Sequence, residues 1–153
     1  MKLSTKGRYG VRAMVDLALH YDDQGATPLN SIAERQNISE HYLEQLIATL
    51  RKAGLVNSVR GAYGGYLLAR KPAEITVKDI IQELEGPIAP SECVAKESES
   101  SCENIESCIT RLIWKKLRNS INEVLNSITL EDLRQEAINA KQEGEHHGYS
   151  YHI

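Results

Sequence analysis

The chain has 153 residues, 25% of them charged and 41% hydrophobic, with no Phe and a formal net charge of −3. That balance fits one folded domain with an appendage and excludes a disordered chain. No apolar run approaches the roughly 20 residues needed to span a bilayer, and no signal-peptide-type stretch follows the basic start Met1-Lys2-Leu3-Ser4-Thr5-Lys6-Gly7-Arg8. A cytoplasmic protein with no membrane partner is therefore expected. Three cysteines, an odd number, argue against a closed set of intrachain disulfides, and the cytosol keeps thiols reduced. The charge is divided unevenly. Residues 1–71 carry ten Lys/Arg and six Asp/Glu, a net of +4, and residues 72–153 carry eight and fifteen, a net of −7. Such a division suggests that only the first half meets a polyanion.

Residues 8–21 have helical spacing, with Val11, Met14, Val15, Ala18 and Leu19 on one face. Asp22-Asp23-Gln24-Gly25 ends that helix with turn residues. Thr27-Pro28 opens a short helix over 29–36 with Ile32 and Ala33 inward. Asn37 tolerates the left-handed conformation of a tight turn, and Ile38 plugs that turn. Ser39 is a good N-cap for a third helix from Glu40 to about Ala53. Its inner stripe is Leu43, Leu46, Ile47 and Leu50, and Gly54 stops it. The outward face of this helix carries His41, Glu44, Gln45, Ala48 and Lys52. Two short helices, a tight turn and a capped second helix form a helix-turn-helix signal. An ordinary helical hairpin with a solvated polar face would share that pattern.

The next stretch favours a DNA reader. Leu55-Val56-Asn57-Ser58-Val59 and Tyr66-Leu67-Leu68-Ala69 are strand-like runs around Arg60-Gly61-Ala62-Tyr63-Gly64-Gly65. This is a hairpin with a basic, glycine-rich tip, and a hairpin directly after a helix-turn-helix is a wing. Arg60 at its base suits a minor groove, whose negative potential attracts a guanidinium. Glycines such as Gly61 let backbone approach phosphate without a Cβ in the way. A phosphate-binding P-loop would need a Gly-Lys-Ser/Thr ending and a following helix, and has neither.

Residues 76–85 form a further helix capped by Thr76, with Val77, Ile80, Ile81 and Leu84 inward. Gly86-Pro87-Ile88-Ala89-Pro90 breaks the chain. A polar, acidic loop then holds Cys93, Cys102 and Cys108, with eight and five residues between them. No Gly or Pro occurs over 105–128, where Ile105, Ile109, Leu112, Ile113, Leu117, Ile121, Val124, Leu125 and Ile128 mark one face. Leu117, Ile121, Val124 and Ile128 step by four, three and four, as a helix–helix seam does. A helix of this length outruns what the winged unit can cover, so a homodimer is expected. Thr129-Leu130-Glu131-Asp132-Leu133 starts a last helix. The segment 143–153, with His146, His147 and His152, reads as a mobile or locally packed tail. No catalytic constellation is present, so an enzyme is not expected.

The three thiols lack the paired Cys-x-x-Cys spacing of most zinc sites, and one disulfide would leave a thiol over. Iron–sulfur clusters are held by thiolates on such loops, sometimes with a non-cysteine ligand. Three incidental surface cysteines remain the plain alternative.

The chain resembles the iron–sulfur cluster regulators of bacteria, winged-helix repressors of IscR type. The matching residues are Lys2-Leu3-Ser4-Thr5-Lys6-Gly7-Arg8-Tyr9-Gly10, Ile38-Ser39-Glu40-His41-Tyr42-Leu43-Glu44-Gln45-Leu46, Leu50-Arg51-Lys52-Ala53-Gly54-Leu55-Val56 and Val59-Arg60-Gly61-Ala62-Tyr63-Gly64-Gly65-Tyr66. The three cysteines, Trp114 and Ile128-Thr129-Leu130 extend the match, which covers most of residues 1–133. The resemblance implies a mainly α homodimer that binds double-stranded DNA. It implies a winged helix-turn-helix DNA-binding domain over 1–72, a linking helix and turn over 73–90 and a cysteine sensor loop over 91–108. A dimerisation helix and final helix over 105–140 and a tail over 141–153 complete the expected division. It further implies Ser39, His41, Glu44 and Gln45 at reading positions, Arg60 with Gly61 at the minor groove, and a 2Fe-2S cluster on Cys93, Cys102 and Cys108. Gln can pair bidentately with adenine and Glu can accept from cytosine. Glu44, as an unpaired carboxylate, would also penalise wrong bases.

Two departures stand out. The first gap between cysteines is longer than the usual five of these regulators. Where they place a histidine three residues after the last cysteine, this chain has Arg111. A guanidinium has no lone pair to give, so the fourth ligand is unassigned. Glu103, Glu106, Ser107, His146, His147 or a group of the partner subunit are the options. A second resemblance runs to the cysteine-metabolism repressors of Gram-positive bacteria, of CymR type. It rests on Glu85-Gly86-Pro87-Ile88, Gly61-Ala62-Tyr63-Gly64-Gly65-Tyr66, Thr129-Leu130-Glu131-Asp132-Leu133 and the tail 149–153. It implies the same fold and sensing through a partner enzyme, cysteine synthase, without a cluster. That subgroup generally lacks the three loop cysteines.

Overall fold

The computed structural model describes residues 3–23, 25–96 and 102–147, with backbone alone for 145–147. Six helices and one two-stranded sheet follow in the order α1 (Thr5–Leu19), α2 (Leu29–Gln36), α3 (Glu40–Lys52), β1 (Val56–Val59), β2 (Gly65–Leu68), α4 (Val77–Glu85), α5 (Arg111–Ser127) and α6 (Leu130–His147). Short 3₁₀ turns lie at Pro72–Glu74 and Glu92–Val94.

The local chemistry of the first half is as the sequence leads one to expect. Asn37 sits in the left-handed region at φ 53° and closes α2. The Ser39 hydroxyl accepts from the Tyr42 amide at 3.2 Å and so starts α3. Leu43, Leu46, Ile47 and Leu50 are all buried, joining Met14, Leu17, Ile32 and Leu55 in the main core. α1, however, begins at Thr5 and not at residue 8, because Ser4 caps it. It also ends at Leu19, with His20 as its cap.

β1 and β2 pair antiparallel, Val56 opposite Leu68 and Val59 opposite Gly65, and residues 60–64 form the tip. Thr27 adds a bridge to Tyr66, with N–H···O distances of 2.9 and 2.8 Å. That contact fastens the wing to the α1–α2 connection. It requires Gly65, since a Cβ there would stand 2.2 Å from the Thr27 carbonyl oxygen, and φ is +152°.

Two corrections fall in the second half. α5 starts at Arg111, six residues later than the apolar pattern suggests. Residues 103–107 are turns: Ile105 N–H donates to Cys102 O at 3.4 Å and Ser107 N–H to Asn104 O at 3.1 Å. Ser and Asn side chains compete for backbone groups here and favour turns. The single apolar face also divides. Ile121, Leu125 and Ile128 pack against Val77, Ile81 and Ile88 of the α4 region. Ile109, Leu112, Ile113, Leu117 and Val124 stay exposed, and α5 buries none of its residues. Of the expected seam residues Leu117, Ile121, Val124 and Ile128, two thus pack partly on the α4 region and two stay exposed.

α6 returns to the winged unit. Thr76 and Thr129 bridge: Val77 N–H donates to Ile128 O and Leu130 N–H to Ile75 O, both at 2.9 Å. Both helices carry capping boxes, Thr76 with Asp79 and Thr129 with Asp132. Leu130 is fully buried in the main core. α6 continues to His147, so much of the expected tail is helix; residues 148–153, including His152, lie outside the described residues.

Candidate nucleic-acid interface and cysteine segment

The first turns of α3 place Ser39, His41, Glu44 and Gln45 in the open, all exposed. Ser39 spends its hydroxyl on capping. His41 and Gln45, one turn apart, meet at 3.2 Å between ring Nε2 and amide Nε2. Glu44 has no hydrogen-bond or ion-pair partner among the described residues. Arg60 and Gly61 are exposed at the wing tip, Gly61 with φ +109°. The tip closes by Gly64 N–H donating to Gly61 O at 3.0 Å, and Tyr63 beside it is 94% exposed. Arg51 near the end of α3 reaches Ser58 of β1 at 3.4 Å. The exposed face of α3 and the wing thus ride on one packed unit.

Sequence reasoning missed a buried carboxylate that sets this unit. Asp16 is 2% exposed and accepts from Arg35 Nη2 at 2.7 Å, Arg35 Nε at 2.9 Å and Gln36 Nε2 at 3.0 Å. The bond to Asp16 holds the Arg35 guanidinium above its ordinary pKa. Arg12 donates to the Gln36 carbonyl at 2.7 Å. Together they clamp α1 to the end of α2, the residues that lead into the turn before α3. The available signal was an Asp inside the apolar run 13–19, which marks burial but does not name its partners. A buried charge needs such partners.

None of the three cysteines is in a disulfide; Cys93 is half-buried, Cys102 and Cys108 exposed. Cys93 lies in the Glu92–Val94 turn with Sγ 3.3 Å from Ser91 Oγ. Cys108 Sγ is 3.1 Å from Thr110 Oγ1. That contact lowers the Cys108 thiol below its usual pKa, helped by the Arg111 amide and the Arg111 charge. Arg111 also joins the two ends of the segment, its Nε and Nη2 donating to the Cys93 carbonyl at 3.3 Å each. The donor chemistry fits a soft, thiolate-bound metal group. Among the described residues no three Cys, His, Asp or Glu side chains stand together as a ligand set. Glu103, Glu106 and Ser107 are exposed, and the side chains of His146 and His147 lie outside the described residues.

The Rrf2 family, described as iron-dependent transcriptional regulators, matches residues 3–136. This chain belongs to the Rrf2 family. Among Rrf2 relatives and named regulators, it is 47% identical over 153 residues to the transcriptional regulator CymR of Bacillus subtilis, covering all of both chains. It is 46% identical over 133 residues to the transcriptional regulator IscR of Pectobacterium atrosepticum, covering 87% of this chain and 79% of that one. In structure it is similar to CymR, the global cysteine regulator of B. subtilis, with TM-score 0.73 and 49% identity over 89% of this chain and 98% of that one. It is equally similar to T. potens IscR, with TM-score 0.73 and 51% identity over 92% and 90% of the two chains. The chain is thus an Rrf2-type transcriptional regulator with a winged helix-turn-helix, and no helix among its described residues is long and apolar enough to cross a membrane.

Proposed function

We propose that this regulator binds promoter DNA as a homodimer and senses iron–sulfur status through a cluster held by Cys93, Cys102 and Cys108, so controlling iron–sulfur biogenesis genes. The observation that supports the reading is the set of three cysteines, none of them in a disulfide, on one short segment between the winged unit and α5. A bound 2Fe-2S cluster would supply a redox- and supply-sensitive charge at that junction. Cys93, Cys102 and Cys108 would be its ligands, and the fourth is unassigned. Arg111 would not ligate; its guanidinium holds the Cys93 carbonyl and adds positive charge beside Cys108. Ser39, His41, Glu44 and Gln45 would face the major groove, and Arg60 with Gly61 the minor groove. A second copy would cover the exposed stripe of α5.

The identity to CymR along the whole chain favours a second reading, repression of cysteine-metabolism genes with cysteine synthase as the sensing partner and no cluster. Anaerobic purification separates the two. Coloured protein with iron and acid-labile sulfide in equal amounts supports the first reading. Colourless protein that also resists chemical reconstitution rejects it and leaves the second.

A further inference from the structure

The first turn of α1 is capped twice. Ser4 caps it locally, its hydroxyl accepting from Lys6 N–H at 3.2 Å. The second cap is Glu85, the last residue of α4. Its Oε1 accepts from Ser4 N–H at 2.7 Å and Gly7 N–H at 3.1 Å, and the Ser4 hydroxyl donates to the same oxygen. A carboxylate there meets otherwise unsatisfied amides and the positive end of the helix dipole. The helix surface makes room for it. A Cβ on Gly7 would stand 2.9 Å from Glu85 Oε1, and one on Gly10 2.0 Å from Leu84 Cδ1.

The same turn touches the recognition helix. Thr5 Oγ1 lies 3.1 Å from Tyr42 OH. The Tyr9 and Tyr42 rings meet edge to face, centroids 6.1 Å apart. Tyr42 follows His41 directly and precedes Glu44 by two residues. On its other side Glu85 adjoins Gly86, where the chain leaves toward Cys93. A contiguous set of contacts therefore runs from the end of α4, through the N-terminal part of α1, to Tyr42 of α3.

We propose that Glu85 is a positioning residue for DNA binding. Its carboxylate fixes the first turn of α1, and that turn fixes Tyr42 and the residues that flank it. The end of α4, and with it the path to the cysteine segment, is thereby coupled to α3. This rests on the DNA-binding reading above. Charge-assisted hydrogen bonds are roughly twice as strong as neutral ones, so an isosteric amide should loosen the turn without emptying the site.

The test is a double-mutant cycle on the full chain with Glu85→Gln, Tyr42→Phe and the pair, read as affinity for a promoter fragment that the wild type binds, with melting temperatures beside it. Glu85 and Tyr42 share no hydrogen bond or ring contact among the described residues, so independent roles would give multiplicative losses. The expected result is a loss of about fivefold for each single variant and a double variant no weaker than the worse single. Wild-type affinity for Glu85→Gln, or fully multiplicative losses, overturns the proposal while DNA binding itself stands. A wild-type chain that binds no promoter DNA rejects the functional reading instead. If Glu85→Gln melts below the assay temperature, Ser4→Ala takes its place in the cycle, with the same two outcomes deciding.

Discussion

Glu44 is an exposed carboxylate with no partner among the described residues, and the proposed DNA-binding mode turns its helix face toward the groove. An anion there gains nothing from phosphate and is tolerated only where a base offers it a donor. Its effect should therefore fall on selectivity. A wrong base pair costs about 1–3 kcal/mol in typical sites. Glu44→Ala should remove that penalty at the position it reads, so the ratio of affinities for matched and mismatched fragments falls roughly tenfold. An unchanged ratio in competition binding would count against the role. Arg60 makes the opposite kind of contribution. As a cation at the wing it should add affinity on every sequence, and Arg60→Ala should weaken binding by about 1–3 kcal/mol. Loss of a groove or phosphate contact should also flatten the dependence of log Kd on log salt, by a slope of about one if a single phosphate is involved. Equal affinity and slope would remove the wing from the interface.

At the scale of elements, what the sequence disclosed and what it hid divide by range. Asn37, Ser39, Gly54 and Thr76 act within a few residues of themselves, and each marks the helix end that the structure shows. The Asp16–Arg35 clamp, the Glu85 cap on α1 and the place of Leu130 depend on partners 19 to 81 or more positions away. Periodicity has no access to those. The apolar residues of α5 show the same limit from another side: spacing placed them on one helix, but not which of them meets α4. The exposed face of α3 and the wing hairpin were legible as structure because a helix-turn-helix is built from local stops and caps. The arrangement of the three thiols was not, since a loop has no period to extrapolate. Leu130 gives the long-range half a test. It is fully buried among residues of the winged unit, so Leu130→Ala should cost about 2–5 kcal/mol. A chemical-denaturation midpoint that drops in one cooperative transition would show α6 and the winged unit unfolding together. A loss confined to a separate, earlier transition would show that α6 is independent of that core.

For the whole molecule the decisive feature is the stripe that α5 leaves uncovered. Leu112, Ile113 and Val124 are each 55–56% exposed, with Leu117 at 42%. Ile113, Leu117 and Val124 follow one another at four and seven residues, so they share a side of the helix. Ile121 and Leu125, on the adjoining side, already pack on α4. A second copy is the occupant that best suits a single continuous stripe, because a two-fold axis lets one surface cover itself. It would also set two α3 helices at a fixed separation, which a palindromic operator needs. Leu117→Glu tests this with little disturbance of the core, since Leu117 is exposed and belongs to neither buried cluster. In a symmetric pair the substitution places two carboxylates close to the same seam, where loss of water and mutual repulsion disfavour both. The variant should keep its melting transition at low concentration, sediment as a monomer of about half the wild-type mass, and bind a two-half-site fragment much more weakly while a single half-site is little affected. If Leu117→Glu sediments like the wild type, the stripe is not the seam, and the two copies must meet through another face or not at all.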